Sequence, residues 1–147
     1  MIKIVRAREG QVDQLVPLFD AYRVFYKQPS DNETARKFLL DRLKNKEATV
    51  FMALDNEIPL GFTLLYTTFS SVSMESVFIL NDLYVTTAAR NKGVGEALLN
   101  RAKSYCKVKG FKGLALETAT DNPAQNLYER LDWKKDSHCF HYFWKAD

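Results

Sequence analysis

The chain has 147 residues, of which 46% are hydrophobic, 27% charged and 13% aromatic. This composition excludes a disordered chain, because so many apolar side chains offset the entropy that folding costs. The longest apolar stretches are far shorter than the ~20 residues of a membrane-spanning helix. The first residues lack the pattern of a signal peptide.

The charge and the cysteines narrow the class of protein further. The net charge of +3 is spread evenly, without the basic stripe of a nucleic-acid-binding protein. Two cysteines, Cys106 and Cys139, form neither a disulfide framework nor a zinc motif. We therefore expect one cytoplasmic domain over residues 1–147 with free thiols, no metal, no nucleic-acid partner and no membrane association.

Hydrophobic periodicity predicts the elements of the first third of the chain. A short N-terminal strand precedes a helix over residues 9–27, in which Pro17 lies either in the first turn or at a kink. Ser30 and Glu33 have the spacing of a capping box, which predicts a second helix.

The rest of the chain alternates strands and helices. A helix follows Gly95 and ends at Lys109-Gly110, and a last helix begins at Asp121-Asn122-Pro123. The order βααβββαβαβ predicts a mixed α/β sheet covered by helices. The predicted strands are 49–54 and 60–69, which form a hairpin, then 74–85 at the centre of the sheet, 113–118, and an aromatic final strand over 137–144.

The most informative segment lies between the predicted central strand and the next helix. Arg90-Asn91-Lys92-Gly93-Val94-Gly95 combines two cations with two glycines just before a helix N-terminus, which is the composition of an anion site. A phosphate loop of the GxxxxGK type is absent. The GxGxxG fingerprint also fails, because Leu98 stands where the third glycine belongs.

The hexamer fits the pattern [QR]xxGx[GA] and resembles motif A of the GNAT N-acetyltransferase family, which binds the pyrophosphate of acetyl-CoA there. The similarity continues through Pro59-Leu60-Gly61-Phe62 to the stretch from Tyr128 to Trp133. Residues 22–26 and 79–85 are most similar to the polyamine and histone-type branch. The resemblance implies a single-domain α/β GNAT fold whose mixed sheet has splayed fourth and fifth strands, the fifth near 117–119. It also implies acetyl-CoA as co-substrate and a homodimer.

The resemblance also implies roles for particular residues. The Leu83 amide is expected to polarise the thioester carbonyl, and Tyr128 of Ala124-Gln125-Asn126-Leu127-Tyr128 to protonate the departing thiolate. Judged by spacing alone, the interpretation of Tyr128 as a core aromatic is favoured over a catalytic one. The expected cofactor contacts are Leu83, Tyr84, Val85, Arg90, Asn91, Lys92, Gly93, Val94, Gly95, Glu96, Asn122 and Tyr128.

Two positions depart from the family pattern. Asp121 stands where the family has Asn, and Asn122 follows one position later, which leaves open which of the two side chains meets pantetheine. Asp132 replaces a glycine after the last helix. We expect the turn to survive, because Asp tolerates a left-handed conformation.

Asp82 interrupts an otherwise apolar strand, where an unpaired carboxylate is costly. It is interpreted either as part of an amine pocket, attracting the ammonium or accepting its proton directly or through water, or as the partner of a Lys or Arg. Tyr22 and Tyr26 are candidates for an aromatic wall around a substrate cation, and Phe25 is expected in the core. His138 and His141 are expected on opposite faces of the final strand, without a metal site.

These observations predict an acetyltransferase in which a primary amine attacks acetyl-CoA directly in a ternary complex. Cys106 and Cys139 have no evident base beside them, so no covalent intermediate is expected. The alternatives are a longer acyl group, a protein amine as acceptor, and a non-catalytic acyl-CoA-binding module. A Rossmann-like nucleotide enzyme is disfavoured by the missing third glycine.

Overall fold

A computed structural model describes every residue from Met1 to Asp147 and divides the chain into two units, Met1–Glu117 and Thr118–Asp147. The first unit holds a five-stranded sheet and three α-helices, and the second holds one short helix. The elements are β1 (Ile2–Ala7), α1 (Val12–Phe25), α2 (Asn32–Lys44), β2 (Ala48–Asp55), β3 (Ile58–Ser70), β4 (Glu75–Val85), α3 (Val94–Lys109), β5 (Leu114–Ala115) and α4 (Ala124–Arg130).

The strands lie in the order β1-β2-β3-β4-β5. The first four are antiparallel, and β5 runs parallel to β4, so the predicted mixed α/β sheet is confirmed. Asn56 and Glu57 join β2 to β3 with φ of 49° and 66°. A two-residue turn with two positive φ angles matches the twist of the strands it connects, which explains the tight hairpin.

Helices cover both faces of this sheet. On one face, α1 and α2 bury Leu15, Phe19 and Leu39 against apolar residues of β2 and β3. On the other face, Tyr105 of α3 packs against Phe51 of β2, with ring centroids 5.4 Å apart. α3 ends at Gly110, whose φ of 71° is the left-handed conformation expected of a glycine cap.

The structure corrects two details of the predicted helices. The side chain that caps α2 is Asp31, which accepts a hydrogen bond from the Thr34 amide, whereas the Ser30 hydroxyl donates to Asp20 at 2.6 Å. The prediction of Ser30 as the cap was therefore wrong. Phe25, expected in the core, is 57% exposed, because it lies in the last turn of α1 beyond the part that packs on the sheet.

Two strand predictions were also wrong. β5 contains two residues instead of 113–118, because it pairs with β4 only at Phe78 and Ile79. Residues 137–144 have the composition of a strand but form none, since no neighbouring strand pairs with them. His138 and His141, which were expected on opposite faces of that strand, therefore lie outside any strand.

Gly61 marks the closest approach of β3 to β4. A Cβ atom added at Gly61 would lie 2.5 Å from the carbonyl oxygen of Tyr84, which is backbone and cannot move aside as a flexible side chain would. We therefore expect Gly61→Ala to lower the free energy of unfolding by roughly 1–3 kcal/mol. Urea denaturation measures this. Gly10→Ala is the matched control, because nothing lies within 4 Å of a Cβ at Gly10. Equal stability of the two variants would contradict the steric argument.

Candidate active site

A β-bulge interrupts β4 where the candidate site residues begin. Leu64 of β3 lies opposite Asp82, but the next residue, Leu65, lies opposite Leu80, so Asn81 is the extra residue. A bulge of this kind bends a strand and redirects the residues that follow it. The bulge therefore determines the directions in which Asp82 and Leu83 point.

Asp82 is one of the few buried charged residues, with 3% of its surface exposed. The Asn81 side-chain amide donates a hydrogen bond to its carboxylate at 2.8 Å, and the Tyr22 hydroxyl donates a second. Burial raises the pKa of the Asp82 carboxyl to about 6, against the smaller lowering by these two hydrogen bonds. The carboxylate is thus held by neutral donors, and the predicted alternative of a Lys or Arg partner is not what the structure has.

Aromatic rings surround Tyr22 beside this carboxylate. Its ring centroid lies 5.0 Å from that of Tyr26, 5.8 Å from Phe62 and 6.5 Å from Tyr84, all with nearly perpendicular planes. The Tyr22 hydroxyl also lies 3.2 Å from the Asn81 carbonyl oxygen, so its single proton is shared between that oxygen and the Asp82 carboxylate. Tyr22 therefore connects α1 to the bulge, while Tyr26 is half exposed at the end of the helix. Such a group of ring faces suits a cation.

The second half of β4 has one edge that β5 does not reach. β5 pairs with β4 only as far as Ile79. On the other edge, the Thr86 amide donates to the Leu60 carbonyl of β3 at 2.8 Å. Because backbone groups alternate along a strand, Tyr84 also faces β3, whereas Leu83 and Val85 direct their N–H and C=O groups away from it. This is the divergence of the fourth and fifth strands that the sequence predicted.

The loop after β4 leads into the N-terminus of α3. Asn91 and Gly93 have φ of 61° and 82°, which turn the chain sharply before the helix. The first helical hydrogen bond runs from the Ala97 amide to the Gly93 carbonyl at 3.0 Å. The amides of Val94 and Gly95 precede that bond and have no acceptor within the helix, so together with the helix dipole they suit an anion.

Arg90 has a structural contact that the sequence did not indicate. Its Nε donates to the Val85 carbonyl at 3.0 Å, and its guanidinium lies 5.9 Å from the centroid of the Tyr84 ring. Arg90 thus fixes the end of β4 to the following loop. Lys92 is exposed beside it and adds a second positive charge.

Tyr128 lies in the second unit, on α4, and its ring packs at 5.9 Å from the Trp133 ring. The Trp133 amide donates to the Tyr128 carbonyl at 3.0 Å, and Asp132 between them has φ of 69°. The expectation that Asp132 tolerates the left-handed turn is confirmed. The Asn122 side-chain oxygen accepts a hydrogen bond from the Ala124 amide at 2.9 Å, so it caps α4, while Asp121 is exposed.

Within the first unit, the structure brings together Asp82, Tyr22 and Tyr26 and places them next to Leu83 and Tyr84. Sequence reasoning missed two contributors. Asn81 supplies both the bulge and a donor to Asp82, and nothing short of the strand register reveals it. Tyr66 is the second, because burial and the charge of Asp82 raise the pKa of its hydroxyl. The available signal for Tyr66 was its position two residues after Leu64, which places the two side chains on the same face of β3.

Comparisons with known proteins agree with this geometry. A family model described as the Acetyltransferase (GNAT) family matches residues 14–133. An uncharacterized N-acetyltransferase of Bacillus subtilis (strain 168), YhfO, is 44% identical over 142 residues, which cover 96% of this chain and 95% of that protein. A probable acetyltransferase of Haemophilus influenzae is 30% identical over 132 residues, with coverages of 89% and 87%.

Solved structures resemble the chain as well. The crystal structure of a probable acetyltransferase is 38% identical to it, with a TM-score of 0.92 and coverage of 99% of this chain and 98% of that one. The chain therefore belongs to the acetyltransferase (GNAT) family of acetyl-CoA-dependent N-acetyltransferases. The branch within the family stays a prediction.

No helix combines the length and the apolar character that crossing a bilayer demands. No three His, Cys, Asp or Glu side chains are grouped so as to hold a metal ion.

The raised pKa of Asp82 makes stability depend on pH in a defined direction. Between its ordinary pKa near 4 and about 6, the native protein binds more protons at Asp82 than the unfolded chain does. The folded state is therefore favoured as the pH falls through this interval and disfavoured as the pH rises through it.

We expect Asp82→Asn, which cannot ionise, to remove this dependence. Relative to the parent protein, the free energy of unfolding of the variant should improve by about 2–3 kcal/mol between about pH 4 and pH 7. Urea unfolding of both proteins at each pH measures the change. Carboxyl ¹³C NMR of the parent protein provides the direct check, and a midpoint near 4 for Asp82 would show that burial does not shift its pKa.

Proposed function

We propose that the chain transfers an acetyl group from acetyl-CoA to a primary amine of a small molecule by direct attack in a ternary complex. The observation that carries this proposal is the bulge in β4. It sets a buried carboxylate, Asp82, directly before Leu83, whose backbone groups point to the free edge of the strand. A base and an oxyanion donor on consecutive residues are what aminolysis of a thioester requires.

The donor site is proposed to consist of two parts of the first unit. The amides of Asn91–Glu96, with the charges of Arg90 and Lys92, would bind the pyrophosphate of acetyl-CoA, because the first turn of a helix directs its N–H groups outward along the axis and the dipole of α3 favours an anion there. The free edge of Leu83–Val85 would pair with the pantetheine arm as an added strand does. The Val85 carbonyl already accepts from Arg90, so Leu83 is left as the main partner. Asn122, which belongs to the second unit, is a further proposed cofactor contact through its side-chain amide, since its oxygen accepts from the Ala124 amide.

The acceptor site is proposed around Asp82, Tyr22 and Tyr26. The rings attract the ammonium form of the amine, and Asp82 takes its proton directly or through water. A carboxylate with a pKa of about 6 is a stronger base than an ordinary Asp and is still mostly ionised at pH 7. The contacts of Asp82 with neutral donors support this role, because no resident cation competes for its charge.

In the proposed reaction the amine nitrogen attacks the thioester carbon and the carbon–sulfur bond breaks. The Leu83 amide stabilises the negative charge on the carbonyl oxygen. Tyr128 donates its phenolic proton to the thiolate, and the products are the N-acetylated amine and free CoA. A phenol suits this step, because its reference pKa near 10 keeps the proton in place until charge develops on sulfur. We also propose a homodimer located in the cytoplasm and a relation to the polyamine and histone-type branch.

The pyrophosphate assignment is tested by charge at the start of α3. Gly95→Asp should weaken acetyl-CoA binding at least tenfold, because a carboxylate among the α3 amides repels the phosphates, while an acidic residue in the first turn favours the helix. Isothermal titration calorimetry measures the affinity. Gly95→Ala separates the size of the side chain from its charge, and Asn100→Asp adds the same charge farther along α3. Equal losses in Gly95→Ala and Gly95→Asp would contradict the anion assignment.

The activity is tested by release of free CoA thiol with a panel of polyamines, aminoglycosides, amino acids and lysine peptides. With the amine that reacts, Tyr128→Phe should lower kcat by about 10²–10⁴-fold and leave acetyl-CoA affinity nearly unchanged. Tyr105→Phe is the matched control, since Tyr105 packs in the core under α3. Full turnover in Tyr128→Phe would remove Tyr128 as the acid. Binding of acetyl-CoA without thiol release from any amine would instead favour the binding module.

A further inference from the structure

A cleft of about 580 Å³ lies between the C-terminal part of α2 and the second half of β3, and no step of the proposed reaction uses it. Its volume is that of a small-molecule site. The side chains that line it combine aromatic rings with charges of both signs, and they include Phe38, Arg42, Lys46, Glu47, Tyr66 and Phe69. Such a lining suits a ligand that has both an apolar part and an ionised group.

Tyr66 connects this cleft to the buried carboxylate of Asp82. Leu64 lies opposite Asp82, and Tyr66 follows two residues later, so Tyr66 lies roughly 7 Å farther along β3 at 3.4 Å per residue. Burial raises the pKa of the Tyr66 hydroxyl, and the charge of Asp82 raises it further. The charges of Arg42 and Glu47 act on the same hydroxyl. The cleft and the carboxylate are therefore neighbours.

The cleft extends away from the proposed cofactor. Leu83 and Val85 follow Asp82 along β4 and lie opposite the first half of β3. Tyr66 and Phe69 belong to the second half of β3, in the other direction. A ligand whose amine reaches Asp82 from the cleft therefore leaves the open edge of β4 to acetyl-CoA.

Arg42 gives the cleft a positive charge with directed donors. Its Nε donates to Glu47 at 3.0 Å, and its guanidinium lies 4.7 Å from the centroid of the Phe38 ring. These contacts hold the planar group in place and leave its terminal nitrogens for a ligand, in the fork geometry that matches a carboxylate. Lys46 lines the cleft as well, so its cations outnumber the one anion, Glu47.

We propose, on the basis of the function proposed above, that this cleft binds a carboxylate of the acceptor, which is a small zwitterion with its amine and carboxylate at opposite ends of an apolar chain. Its ammonium lies at Asp82, its carboxylate at Arg42, and its chain against the ring of Tyr66. A diamine places its second cation near Arg42 and Lys46, which repel it. An α-amino acid is too short, because its amine and carboxylate share one carbon.

Release of free CoA thiol with amines of equal carbon number tests this acceptor class. ω-Aminohexanoate should have a kcat/KM at least about tenfold above those of hexylamine, hexamethylenediamine and norleucine. The difference should lie chiefly in KM, because the carboxylate is bound equally in the ground state and the transition state. If any of the other three amines reacts as well as ω-aminohexanoate, the acceptor assignment is overturned, although acetyl transfer itself is then demonstrated.

Arg42→Gln separates the carboxylate site from the reaction. In this variant the ratio of kcat/KM for ω-aminohexanoate to that for hexylamine should fall at least about tenfold, because glutamine lacks the charged fork. Arg36→Gln is the matched control, since Arg36 lies on the same helix but pairs with Asp13 at 2.8 Å, outside the cleft. An unchanged ratio in Arg42→Gln overturns the proposal.

A binding measurement decides the matter even where no amine releases thiol. Titration of the parent protein with ω-aminohexanoate, followed by NMR of the arginine Nε–Hε signals, should shift the Arg42 signal and leave the Arg36 signal in place. Hexylamine should shift neither. A saturable shift without thiol release keeps the carboxylate site and removes the proposed reaction. An Arg42 signal that does not move, or that moves equally with hexylamine, overturns the proposal.

Discussion

The central constraint on this fold is that β4 must be hydrogen-bonded to a neighbouring strand along one edge and remain largely open along the other. β4 is bonded to β3 on both sides of the bulge at Asn81, and this contact is so close that Gly61 has no room for a Cβ. On the other edge β5 pairs with it only at Phe78 and Ile79. A strand anchored firmly on one side can leave Leu83 and Val85 without a strand partner on the other side, where the Val85 carbonyl accepts only from Arg90. The tight β3–β4 contact therefore makes the open edge possible.

The bulge at Asn81 adds a second, energetic constraint. It places Asp82 in an apolar environment, where ionisation is opposed by burial and only partly restored by the donors from Asn81 and Tyr22. Replacing such a carboxylate with a neutral side chain favours stability at neutral pH. Costly buried ionisable groups cluster at functional sites, and the proposed role of Asp82 as a base beside the strand edge accounts for this one. The burial of Asp82 thus lowers the stability of the folded protein at neutral pH and also raises the pKa on which the proposed chemistry depends.

The sequence predicted those features that are determined by residues close to one another along the chain. The hairpin turn, the glycine cap of α3 and the motif from Arg90 to Gly95 depend on neighbouring residues, and each was recognised. The extent of β5 and the absence of a strand over 137–144 depend on which other strand lies alongside, and no local pattern records that. The bulge at Asn81 was missed for the same reason, because a bulge is a relation of register between two strands. Asp82 was noticed by its charge, but its neutral partners became visible only in the structure.

Asp82 and Tyr128, if they act as proposed, divide proton transfer between two groups of opposite character. An amine that must lose a proton needs a base that is ionised at neutral pH yet stronger than an ordinary carboxylate, and burial brings Asp82 to that condition. A thiolate that must gain a proton needs a donor that keeps it until sulfur is charged, which a phenol does. When their environments move the pKa values of an acid and a base apart, both proton transfers can take place at one pH. In the proposed mechanism, Asp82 takes part in deprotonation of the amine and Tyr128 in protonation of the thiolate, so substitutions at the two positions would affect different proton transfers.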